Sequence, residues 1–112
     1  MTNEQFREWE RNVLGYGYGT GEPHVLAALK TFLEHCNKGE RGESYEYEGL
    51  EQAVTPTVAW LLINILCRHD ANVLEYGTSA RYGWLTPFGV QLRDFLAAHT
   101  VEQLQEILDE EE

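Results

Sequence analysis

Large apolar residues recur at spacings of three and four along most of the chain, with charged or amide residues between them, and predict a mostly helical molecule. Thr2 with Gln5 matches a capping box, and Phe6, Trp9 and Val13 form a short stripe that Gly15 terminates. With so short a stripe, this first helix is expected on the domain surface. Pro23, whose missing N–H costs nothing in a first turn, opens a second helix over residues 23–36. Val25, Leu26, Leu29, Phe32 and Leu33 share its apolar face. The polar, glycine-containing stretch that follows reads as a loop in which residues 44–47 make a short edge strand. Residues 47–54 then read as a short helix turning Leu50, Ala53 and Val54 inward, broken by Thr55-Pro56.

Thr55-Pro56-Thr57 also caps the next helix, VAWLLINILCRH, which is apolar nearly all round. Such a helix is normally buried. It is too short to span a bilayer, so it is expected at the centre of the core, with Asn64 as a hydrogen-bonded interior amide. Arg68 and His69 suit its negative C-terminal end. Residues 73–76 and 82–85 read as a β-hairpin joined by a turn over 77–81, and Thr86-Pro87 caps a helix carrying Phe88, Leu92, Phe95 and Leu96. A second capping box, Thr100 with Gln103, starts a short amphipathic helix with Val101, Leu104, Ile107 and Leu108. Its four terminal acids lie where the helix dipole disfavours them, and fraying is expected there.

At 112 residues and 43% hydrophobic content the chain fits a single domain, residues 1–112, able to bury a core without metal or disulfide staples. No run reaches the roughly 18 apolar residues of a membrane span, and the start has no basic region followed by an apolar one, so a cytoplasmic protein away from membranes is expected. Cys36 and Cys67 then read as free structural thiols. The net charge is −11; residues 102–112 alone contribute −6, leaving thirteen acids against eight bases elsewhere. An acidic balance repels phosphate backbones, which makes nucleic acid a disfavoured partner.

Few residues invite chemistry. His35-Cys36 and Cys67 with His69 are spaced too closely for the ligand pairs of a zinc site, so no metal or cofactor is expected. Cys67 has no identifiable orienting partner for nucleophilic work, and Glu46 and Glu48 read as solvated. No catalytic residue emerges, and an enzyme is not expected. The Gly15 to Gly21 stretch, GYGYGTG, lacks the glycine spacing and the preceding strand of a dinucleotide loop, and no Lys-Ser/Thr pair follows it. It reads as a structural turn with two packing tyrosines or as a ligand-contacting loop. The aromatics stand out: a domain this small cannot deeply bury all of Trp9, Tyr16, Tyr18, Tyr45, Tyr47, Tyr76, Tyr82 and Trp84. Tyr, Trp and Arg are enriched at binding hot spots, which nominates Tyr16, Tyr18, Tyr76, Arg81, Tyr82 and Trp84 as a partner-binding surface. The alternative is that these rings only close the core edge and cover the hairpin.

The phrase Trp84-Leu85-Thr86-Pro87-Phe88-Gly89, with Leu92 behind it, resembles the strand-then-helix passage that closes the wing in winged helix-turn-helix repressors of the antibiotic-resistance type. The resemblance covers residues 23–96 and implies an α+β, mainly α, winged-helix-like fold of about five or six helices with one β-hairpin. Residues 1–22 would be an N-terminal helix with the Gly/Tyr loop, and residues 97–112 a C-terminal helix with an acidic tail. Arg81 falls where such a wing often carries a basic residue. The helix before the hairpin departs from the DNA-binding pattern, since it offers Thr57, Asn64 and Arg68 amid Trp60, Leu61, Leu62, Ile63 and Ile65. The leading expectation is therefore a non-enzymatic protein-protein interaction module whose partner is another protein or a second copy forming a homodimer. A DNA-binding transcriptional regulator and a phage-type inhibitor mimicking nucleic acid are the alternatives.

Overall fold

The computed structural model describes residues 1–15, 23–36 and 45–110, and of Arg81 the backbone. The Gly/Tyr loop beyond Gly15 and residues 37–44 lie outside the described residues.

Helix α1, Asn3–Val13, begins at the expected box: Thr2 Oγ1 accepts from Gln5 N (3.1 Å) and Gln5 Oε1 from Thr2 N (2.8 Å). Its stripe is short in number but large in volume. Phe6 is wholly buried with its ring 5.1 Å from Phe95, and Trp9 Nε1 donates to the Ala71 carbonyl at 2.9 Å. The helix expected on the surface is thus keyed into the core by two large aromatics. Arg7 ties its outer side to the chain end, donating to the Ile107 carbonyl at 3.3 Å.

The centre of the molecule is α2, Pro23–Cys36, which packs against four helices: α3 (Tyr47–Val54), α4 (Pro56–Leu66), α5 (Pro87–Ala97) and α6 (Val101–Asp109). Leu26, Leu29, Phe32, Leu33 and Cys36 are buried along it. Lys30, at its margin, donates to the Leu96 carbonyl at 3.0 Å near the C-terminal end of α5, where a cation is favoured.

A single residue, Thr55, joins α3 to α4. Its φ of 93° is unfavourable for a β-branched residue, and its Oγ1 caps α4 by accepting from Val58 N at 3.3 Å. Strands β1, Leu74–Glu75, and β2, Trp84–Leu85, pair antiparallel with Leu74 opposite Leu85 and Glu75 opposite Trp84. They are shorter than expected because Ala80–Tyr82 coils into a 3₁₀ turn. Tyr45 N donates to the Gly83 carbonyl at 2.8 Å, so the expected edge strand is reduced, among the described residues, to one backbone bond on the far side of β2. The Tyr45 ring is buried and its hydroxyl donates to the Ala80 carbonyl, holding the turn down.

Thr86 hinges hairpin to helix. Its Oγ1 donates to the Asn72 carbonyl (2.6 Å) and accepts from Gly89 N (2.8 Å), while its own N–H donates to the Val73 carbonyl at 3.0 Å. At Gly89 a Cβ would collide with the Val73 carbonyl oxygen, so only glycine lets α5 start this close to the hairpin. The box of Thr100 and Gln103 opens α6 as expected, and Leu104 and Ile107 are buried on it. Buried side chains from all six helices and the hairpin form one cluster. Among the described residues six helices with a single antiparallel hairpin, in the order α1, α2, α3, α4, β1, β2, α5, α6, make a mainly helical, winged-helix-like arrangement.

Candidate protein-contact surface

Four residues of α4 face the core: Ala59, Leu62, Ile63 and Leu66. The opposite side is open. Thr57, Trp60, Leu61 and Asn64 are exposed there, with Arg68 just beyond the helix in the same register. Trp60 is 45% and Leu61 56% exposed, although both are large apolar side chains. The helix read as buried all round is therefore one-sided, because α2 and α3 cover only its inner stripe. Asn64, expected as an interior amide, lies in solvent and donates back to the Trp60 carbonyl at 2.8 Å.

Between α3 and α4 this outer side hollows into an open groove of about 590 Å³, lined by Tyr47, Glu51, Pro56, Thr57, Trp60 and Leu61. Tyr47 stands edge-on to Trp60, ring centroids 5.7 Å apart at 87°, an arrangement that holds both rings in place. Every lining residue sits on a helix, so the groove has firm walls. Among the described residues Glu51 is the one charged group lining it, and between Tyr45 and Cys67 the sequence holds three acids, Glu46, Glu48 and Glu51, and no Lys or Arg.

The hairpin carries the other exposed rings. Tyr76, just after β1, is 47% exposed and Tyr82, at the end of the 3₁₀ turn, 66%. Trp84 on β2 is half-buried, opposite Glu75. The structure thus places three of the six nominated residues on the hairpin; Arg81 lies in its turn, and Tyr16 and Tyr18 lie outside the described residues. Of the remaining aromatics, Trp9 and Tyr45 are core, and Tyr47 belongs to the groove.

Burial pushes the Cys36 thiol well above the ordinary range, and Cys67, half-buried, up to about 11 for the same reason. Both thiols are free. Burial also raises the Tyr45 hydroxyl. Asp70 is held below the usual carboxylate range by the guanidinium of Arg68, which donates to it at 3.0 Å. His35 and His99 each donate from Nδ1 to a carbonyl one turn earlier, Thr31 and Phe95. Among the described residues no three His, Cys, Asp or Glu side chains converge as metal ligands would, and no helix is long and apolar enough to cross a membrane.

The α4 face went unrecognised in the sequence, yet a signal was there. Thr57, Asn64 and Arg68 are seven and four residues apart, which places them on one side of a helix, and that side passes through Trp60 and Leu61. No family model matches the chain, and neither a curated protein nor a solved structure does.

Proposed function

We propose that the chain is a non-enzymatic protein-interaction module of the reducing cytosol that receives its partner on the outer face of α4. One observation carries this: an adjacent tryptophan and leucine, 45% and 56% exposed, sit on the rigid outer side of a helix beside an open groove. Partly exposed apolar anchors in such a setting gain stability when a partner removes them from water, and Trp is among the residues that dominate interface energetics. The free thiols Cys36 and Cys67 suit a reducing compartment. The hairpin rings of Tyr76, Tyr82 and Trp84 offer a second contact set, which Tyr16, Tyr18 and Arg81 would extend. A DNA-reading role is less well supported, because α4 contains no Lys or Arg and Arg68 beyond it is paired with Asp70.

Photo-crosslinking in the host cell tests the assignment. Leu61→p-benzoylphenylalanine should give discrete protein adducts, whereas Ala27→p-benzoylphenylalanine, exposed on α2, should give none. Adducts from Tyr82→p-benzoylphenylalanine alone would move the contact face to the hairpin. Adducts with nucleic acid, or none from either face, would overturn the proposal.

A further inference from the structure

The groove between α3 and α4 also constrains what enters it. Its walls are helical, and from Leu50 in α3 and Ala59 in α4 onward their backbone amides are engaged within the helices, as where Ala59 N donates to the Thr55 carbonyl at 2.9 Å. An extended peptide would find no open strand edge here on which to add a strand. A partner must bind through side chains laid against Trp60, Leu61 and Tyr47, which is how an amphipathic helix enters a groove. Charge narrows the choice. Glu51 lines the wall, and Glu48 stands one turn before it, exposed on α3. With no base between Tyr45 and Cys67, nothing in this segment offsets those carboxylates. A second copy of the chain would bring another net charge of −11 to the same acidic wall, so the charge opposes self-association.

We infer that the groove of α3 and α4 is a docking site for a basic amphipathic helix of a partner protein, whose apolar side chains cover Trp60 and Leu61 while a Lys or Arg faces Glu51 and Glu48. This inference rests on the interaction-module proposal and specifies its partner.

The test uses the full chain and two fluorescein-labelled helical peptides of about 18 residues, roughly 27 Å long, one built from Leu and Lys and its isostere from Leu and Glu. In fluorescence anisotropy the Leu/Lys peptide should bind saturably at one site, and the Leu/Glu peptide should not compete. Trp60→Ala, checked for retained helicity by circular dichroism, should weaken binding at least about tenfold, as loss of a central anchor does. Glu48→Lys with Glu51→Lys should weaken it as well, while leaving the anchors in place. Binding that survives Trp60→Ala unchanged, equal binding of the Leu/Glu peptide, or no binding of either peptide would each overturn the inference. So would a dimer in sedimentation equilibrium that Leu61→Asp dissolves. That last result would leave the interaction module standing with a second copy as its partner, whereas failure of the crosslinking would remove the module itself.

Discussion

Asn64 and Cys67 show how far a residue's neighbours decide its chemistry. Asn64 looked like a core amide because its sequence neighbours are apolar, but in three dimensions it sits on the solvent side and bonds its own helix. Cys67, next to the same helix, is half-buried, and burial raises its pKa from 9.0 to about 11. The thiolate is the form that is penalised, so on raising the pH the unfolded chain loses this proton first. The contribution of Cys67 to stability is intact below about pH 9 and is lost as the pH climbs from there to about 11. Alkylation by iodoacetamide at pH 8 should therefore be about a hundredfold slower at Cys67 in the folded chain than in urea, since two pKa units set the thiolate fraction. A folded-state rate profile with its midpoint near 9 would contradict the burial assigned to this thiol.

Among the elements, the hairpin and α5 behave as one unit because Thr86 bonds both. Thr86→Val keeps the shape but strips the acceptor from the buried Gly89 N–H, and should lower unfolding free energy by about 2 kcal/mol; Thr86→Ser, which keeps the hydroxyl, should cost less than about 1 kcal/mol. Urea unfolding separates the two, and equal losses would mean that packing of the methyl, not the cap, matters. This joint was legible in the sequence, since Thr-Pro before an apolar stripe is a local signal that tertiary contacts only reinforce. The same holds for both capping boxes and for the bounds of α2 and α3. What was not legible was relative depth. Periodicity locates a helix's apolar face but cannot rank helices by burial, so α4, richer in apolar residues, was read as the centre that α2 in fact occupies. The outward side of the hairpin was legible for the opposite reason: with Leu74 and Leu85 turned inward, the alternation of a strand leaves their neighbours Glu75 and Trp84 on the other face.

At the scale of the whole molecule, a chain of net charge −11 leaves a tryptophan and a leucine uncovered on the outer side of α4. Either these side chains stabilise the fold despite their exposure or they are kept for a partner. Stabilities of Leu61→Asp and Leu62→Asp, measured side by side in urea, decide between these most directly. Leu62 lies 6% exposed in the core, so an aspartate there is buried without a partner and should cost more than about 4 kcal/mol or unfold the chain. Leu61 faces outward, and its aspartate should cost about 1 kcal/mol, chiefly through helix propensity and partial packing. If Leu61→Asp instead unfolds the chain as Leu62→Asp does, the outer face of α4 is core and the proposed contact surface does not exist.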